Sequence, residues 1–496
     1  MSNSQSLYAI TPELILLCTA ILILLGDSCL SFWRKAGSLN GILALAAIVI
    51  SALFSLSSLE PVRPHILAFH GALRLDRFSV AVDLLLFITA ALAVLMALTY
   101  LENRRLNQGE YYALLLFATL GAMLMASAND LIVLFISLET LSVALYVLTG
   151  FARSDTRSEE AALKYFLLGA FAAGFLLYGI ALVYGGSAAV GEAGTTSLSI
   201  LGARMNAQLP PSFMLMAGIG LILIGLGFKA GLVPFHMWIP DVYEGAPTSV
   251  TAFMAAAVKI GAFAALMRIF TAFTPISTYW IPALQIIALL TMFGGNLLAV
   301  TQVNVKRMLA YSSIAHAGYL LIAIISLPGA PEAAAGAVVY YLLAYALMTM
   351  GAFGTLIYLS RRGTDCQTLN DLKGLWYTDP IPAYLLALFM FSLAGIPPTM
   401  GFIGKWLIFS AALQAGQAGL AIALAFASMI AIYYYLRVVW VSCFQKPDVE
   451  SIECKPADSS SWVAVSLAAA ASFLLLCGMI PGMVQPLMSA AQSVMR

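Results

Sequence analysis

Residues 227–248 read GFKAGLVPFHMWIPDVYEGAPT. The run is apolar enough to lie in lipid, yet it carries Lys229 and His236. Pro234 sits between them, and Pro240, Asp241 and Glu244 follow. Proline removes a backbone donor and clashes with the preceding turn. In hydrocarbon the freed carbonyls must find another partner or water. A break here is costly unless it lines a hydrated cavity. The stretch therefore predicts a discontinuous membrane helix with a titratable amine beside the break.

The rest of the chain is read as an all-α polytopic membrane protein. Its 496 residues are 62% hydrophobic and 9% charged, with a mean hydropathy of +0.95. A soluble chain carries roughly a quarter charged residues. A bilayer core needs roughly 20 apolar residues per helix. Fourteen such windows run from 11–31 to 461–487. Two exceed a single span, 212–240 and 380–414, and both hold prolines well inside. The N-terminus lacks the basic region and cleavage site of a removable signal, so the first window is expected to remain a helix. The net charge of +1 and the absence of a basic run give no reason to expect nucleic acid. Cys18, Cys29, Cys366, Cys443, Cys454 and Cys477 form no CxxC pair and no His-linked cluster. They read as packing or loop residues, not as a metal or iron–sulfur site. The longest connectors, near 59–77, 186–211, 360–379 and 445–460, are too short to build a soluble core, so any catalysis belongs inside the membrane or on a partner.

Loop charge sets the orientation. One side collects thirteen basic residues: Arg34, Lys35, Arg104, Arg105, Arg153, Arg157, Lys306, Arg307, Arg361, Arg362, Lys373, Lys446 and Lys455. The other collects six: Arg63, Arg74, Arg77, Arg204, Arg268 and Arg496. The richer side is expected to be cytoplasmic, which leaves both termini outside.

Five basic residues remain within spans: Lys164, Lys229, Lys259, Lys405 and Arg437. Glu139, His236 and His316 join them. Each lysine near the bilayer centre costs about 2.5–3.5 kcal/mol. Four cost on the order of 10 kcal/mol, comparable with the net stability of a domain. A scaffold would gain by replacing them with leucine, so the set reads as functional. An ammonium taken out of water releases its proton more readily and a carboxylate takes one up more readily. A file of such groups bridged by water can carry protons and pass an electrostatic signal. Bland roles remain for some members. Lys164 can snorkel to the surface, Arg437 reads as an anchor, His316 can be a packing histidine, and Asp27 and Asp83 read as structural.

The opening motif has a counterpart. KAGLVPF (229–235) and LAGIPPTMGFIGK (393–405) both run Ala-Gly-apolar into proline. Lys229 precedes the break at Pro234, and Lys405 follows the break at Pro397 and Pro398. Two broken helices in corresponding positions point to an inverted-repeat transporter. The expected units are residues 1–110 (helices 1–3), 111–270 and 278–444 (five helices each), and 461–487 (helix 14). GLGFKA (225–230) mimics a dinucleotide fingerprint, but no soluble strand precedes it, and Gly227 and Gly231, four apart, suit close helix packing.

The stretches around 135–151, 159–170, 304–321 and 392–406, together with 227–248, resemble subunit N of bacterial proton-pumping NADH:quinone oxidoreductase, respiratory complex I. The resemblance runs from roughly residue 70 to 445. It implies an antiporter-like membrane-arm subunit with a fourteen-helix core and two inverted five-helix repeats. It implies proton-path roles for Glu139, Lys164, Lys229, His236, Lys259, His316 and Lys405. It also implies that NADH and quinone are substrates of the whole complex, and that FMN and iron–sulfur clusters sit in partner subunits. The implied partners are a neighbouring antiporter-like subunit, small membrane subunits and a peripheral redox arm. The implied location is the bacterial inner (plasma) membrane, with periplasmic termini. PDVYEGAP (240–247) looks like the N type. A lysine after PPTMGFIG sets the chain apart from the M type, and no long lateral helix follows the last window as in the L type. The alternative is the large subunit of a multisubunit cation/proton antiporter, which shares the same Glu and Lys.

Overall fold

Among the described residues of the computed structural model, thirteen helices are long and apolar enough to cross a membrane. The described residues are 6–8, 10–29, 38–57, 66–188, 192–207, 210–360, 365–446 and 461–495. Arg34, Lys35, Arg63, Arg361, Arg362, Lys455 and Arg496 of the loop-charge pattern lie outside them, as does Cys454. In chain order, α1 (Thr11–Cys29) and α2 (Leu39–Leu56) precede a hairpin of β1 (Ile66–Ala68) and β2 (Leu73–Leu75). Next come α3 (Arg77–Arg104), α4 (Gly109–Ser127), α5 (Leu131–Thr149), α6 (Thr156–Gly186) and the short α7 (Leu198–Ala207). The first broken helix is α8 (Phe213–Ala230) and α9 (Trp238–Gly245). α10 (Thr248–Ala272), α11 (Ser277–Val300), α12 (Val305–Ser326) and α13 (Pro331–Leu359) follow. After the single turn α14 (Leu375–Thr378), the second broken helix is α15 (Pro380–Ala394) and α16 (Met400–Gln414). α17 (Ala418–Cys443), α18 (Ser461–Met479) and α19 (Gln485–Ala491) close the chain.

Polar residues just ahead of apolar runs start the helices, because a side-chain oxygen can take an otherwise orphaned amide. Asp76 opens α3 with a reciprocal box, in which Ser79 N donates to Asp76 Oδ1 (2.9 Å) and Asp76 N donates to Ser79 Oγ (3.1 Å). Asp130 receives the amide of Ile132 (2.8 Å) at the start of α5, and Asn304 that of Arg307 (3.2 Å) at the start of α12. Helices apolar all round are buried in a bundle. α10 is covered along its whole apolar window, and α12 and α13 over 94% of theirs, whereas α6 is covered over only 33%. The first three form the centre and α6 lies at the edge.

Both breaks are built alike. α8 ends on Gly231 (φ +79°) and α15 on Gly395 (φ +87°), in the left-handed region that glycine enters freely. Cis peptides follow at Val233–Pro234 and Pro397–Pro398. Window 380–414 divides into two helices of 15 residues, each shorter than a span, whereas α8 alone is long enough to cross. Among the described residues, thirteen long apolar helices and the broken helix of window 380–414 together account for the fourteen expected windows.

Two residues counted with loops and helix ends are interior. Arg268, inside α10, donates to both oxygens of Asp76 (2.7 and 2.8 Å), and Lys306 donates to Ala246 O (2.7 Å). Each stands where a hydropathy window fades, but neighbouring elements fold over it. Cys366 is disulfide-bonded, and Cys18, Cys29, Cys443 and Cys477 are free thiols.

Candidate functional site

Lys229 occupies the last turn of α8, where the carbonyl end of the helix favours a cation. It is 3% exposed. Its Nζ donates to Tyr165 OH (3.0 Å) and lies 4.6 and 5.1 Å from the ring centroids of Tyr165 and Tyr146. Trp238 from α9 stacks on Tyr165 at 4.4 Å, and its Nε1 donates to Phe228 O (2.9 Å). The indole thus satisfies a carbonyl near the break. Thr291 Oγ1 from α11 accepts the amide of Val233 (3.0 Å). Glu139 on α5 interacts electrostatically with Lys229 without a salt bridge among the described residues. Its Oε1 is buried and has no hydrogen-bond partner there.

Lys259 is buried midway along α10. Its Nζ donates to Ser313 Oγ (2.7 Å) and to the Ser313 carbonyl, beneath the Tyr345 ring at 4.4 Å. His316 lies one turn on along α12. It bonds Tyr341 OH through Nδ1 (2.7 Å) and Tyr435 OH through Nε2 (3.1 Å). Tyr435 OH also bonds Ser312 Oγ. Both Lys405 and Lys259 act electrostatically on His316. Lys405 on α16 reaches back across its own break. Its Nζ donates to Leu393 O (3.1 Å) and Ala394 O (2.9 Å), two carbonyls left at the end of α15. The Tyr319 ring centroid lies 5.4 Å from it.

The structure thus brings Glu139 and Lys229 together, and Lys259, His316 and Lys405 together. Lys164 stands apart. It pairs with Glu160 (2.7 Å) and Asp241 (2.9 Å) at a half-exposed position. Arg307 bonds Asp241 (2.7 Å) and Glu244 (2.9 Å) beside it, around a cavity of about 280 Å³. An adjoining cavity of about 420 Å³ is lined by Arg104, Asp155, Arg157, Glu244, Lys306 and Asp365 among others. In it Asp365 pairs with Arg104 and accepts from Thr248 Oγ1 (3.1 Å) and Tyr100 OH (3.3 Å). Burial pushes the Asp365 carboxyl up. The charges of Lys306 and Arg104, with these hydrogen bonds, more than cancel that and hold it below the ordinary carboxylate range. His236 lies half-buried on the linker between α8 and α9, and its Nδ1 has no partner among the described residues. Arg437 donates to Val300 O (3.3 Å).

Sequence reasoning missed the hydroxyls. Tyr165 bonds Lys229, Ser313 bonds Lys259 beneath the Tyr345 ring, and Ser312, Tyr435 and Tyr341 form a hydrogen-bonded chain through His316. Serine and tyrosine enter membrane helices without the cost that marks a lysine. Only the clustering in YSSIAHAGY (311–319) hints at them.

Residues 128–431 match the family described as NADH:quinone oxidoreductase/Mrp antiporter, TM. Fold and match together define an antiporter-related membrane subunit. NADH-quinone oxidoreductase subunit N 1 of Sorangium cellulosum is 46% identical over 82% of this chain and 81% of its own. The protein of the same name from Herpetosiphon aurantiacus is 42% identical over 97% of each. Among solved structures, a chain of respiratory complex I from Thermus thermophilus with bound aureothin superposes with a TM-score of 0.80 at 35% identity, covering 97% of this chain and all of that one. The chain belongs to the NADH-quinone oxidoreductase subunit N family, the antiporter-like membrane subunits of complex I.

Proposed function

We propose that this subunit moves protons across the membrane for a redox-driven NADH:quinone oxidoreductase and performs no electron transfer itself. One observation carries the reading. Ser313 bonds the buried amine of Lys259, and beside it Ser312, Tyr435, His316 and Tyr341 link in turn by hydrogen bonds, with Lys259 and Lys405 both acting electrostatically on His316. Hydroxyls and imidazole both give and accept protons, so such a run can relay them. Glu139 and Lys229 form a second, electrostatically linked pair that acts as the switch. Lys164, in the ion-pair cluster with Asp241 and Arg307, lies on the intake side, and His236 serves the break at Pro234.

The two glycine–proline breaks support the assignment of residues 111–270 and 278–444 as inverted repeats, with 1–110 and 461–487 as flanking units. The basic-residue bias supports a cytoplasmic position for Arg104, Arg157, Lys306 and Arg307, hence periplasmic termini in a bacterial inner membrane. Among the described residues no three His, Cys, Asp or Glu side chains converge. We place FMN and the iron–sulfur clusters in the peripheral arm, where NADH is oxidised, and quinone reduction in partner subunits. A neighbouring antiporter-like subunit and small membrane subunits pass the released energy on as shifts of charge.

Lys229→Ala tests this in vesicles carrying the assembled complex. Removing a proton-transfer group slows such a step on the order of a hundredfold. NADH-driven proton uptake is expected to collapse, with quinone reduction falling too if coupling is tight. Full pumping by the assembled variant would sink the assignment.

A further inference from the structure

The N-terminal helices hold a second group of buried charge, away from the lysines. Glu13 lies in the first turn of α1 and Asp83 inside α3, and they are 3% and 4% exposed. Glu13 Oε2 and Asp83 Oδ1 are buried and without a hydrogen-bond partner among the described residues. Neither residue forms a salt bridge there. The charges that act on Asp83 are Glu13, Arg268 and Asp76. From α2, Ser51 brings only a hydroxyl, given to Pro12 O (3.1 Å).

Counting charge decides what this arrangement can hold. Arg268 and Asp76 are already joined to each other, and Asp76 also takes Arg74 Nε (3.1 Å). Two guanidiniums and one carboxylate leave a single positive charge. That charge balances one more carboxylate, not two. A second buried carboxylate acting on the first would stand uncompensated among the described residues, and in a site closed to water a proton supplies the missing charge. We propose that Glu13 and Asp83 form a proton-binding site that holds one proton between two carboxyl groups, separate from the lysine path. It lies towards the Arg268 end of α10, opposite the Thr248 end that borders the Asp365 cavity.

Infrared difference spectroscopy on the whole purified complex, in H₂O and D₂O, tests this with Glu13→Gln and Asp83→Asn. The wild-type complex is expected to show a protonated-carboxyl C=O band that shifts in D₂O and is lost in each single variant, because one remaining carboxylate is balanced by the arginines. A spectrum identical in wild type and both variants would overturn the proposal. So would a carboxylate band in this pair that responds to sodium but not to deuterium, which would make the occupant a monovalent cation. If neither amide variant assembles while Glu13→Asp does, both charges are required and the shared proton is excluded.

Discussion

At the scale of single residues, the site depends on what each amine touches. Among the described residues Lys259 has one side-chain acceptor, Ser313 Oγ, so Ser313→Ala leaves it the backbone carbonyl there. NADH-driven proton uptake is expected to fall by about tenfold or more while assembly holds, as for loss of one proton-transfer partner. Tyr435→Phe, which cuts His316 and Ser312 apart, is expected to do the same, and vesicle uptake at matched complex content checks both. Asp365 offers a test by pH. Its folded-state carboxyl lies below the ordinary value of 3.8, so its ion pair stabilises the fold above that value and is lost only as pH falls through the lower one. Asp365→Asn should therefore unfold more easily at neutral pH, by about 1.5–3 kcal/mol for a charged hydrogen bond. Thermal unfolding of the solubilised complex is expected to show a gap that stays constant through mildly acid conditions. A gap already closed well above 3.8 would contradict it. The intramembrane lysines, Glu139 and the two histidines were legible as letters, because charge in lipid is costly enough to demand a reason. Which hydroxyls lie between them was not. Lys164 lies within a predicted span but reaches the surface, the alternative its position allowed, where Glu160 and Asp241 pair with it and Arg307 bonds Asp241.

The elements that matter most are the two broken helices, and their positions followed from Pro234, Pro397 and Pro398. The closing contact did not. Lys405 caps α15 from across the gap, and that depends on how α16 sets off after the break. Gly395 leaves room for it. A Cβ there would stand 3.0 Å from Lys405 Cδ and 3.2 Å from Nζ, on a backbone with φ +87°. Gly395→Ala is expected to cost about 1–2 kcal/mol in conformation alone and to displace the amine. Proton uptake should then drop with little change in helix content, a pair of readings that circular dichroism and vesicle assays separate. Unchanged uptake would mean that Lys405 does not need this cap.

For the molecule as a whole, hydropathy found the membrane and the approximate number of spans. It failed where a charge lay at a window's edge, since neither the fold over Lys306 nor the partner of Arg268 is local in the chain. Arg268→Met isolates that error. It leaves Asp76 buried against Arg74 alone, and breaking a buried pair on one side costs about 3–5 kcal/mol. The complex is expected to contain much less of this subunit, which native gels of solubilised membranes measure, whereas normal abundance would make the pair dispensable. The complete covering of α10, and the nearly complete covering of α12 and α13, has a wider consequence. These helices have almost no contact with acyl chains, so the solvent of Lys259 and His316 is protein. Bilayer thickness and lipid headgroup therefore act on the outer helices, above all α6, and govern how the subunit sits among its neighbours. The medium around the two buried residues stays the same from one membrane to another.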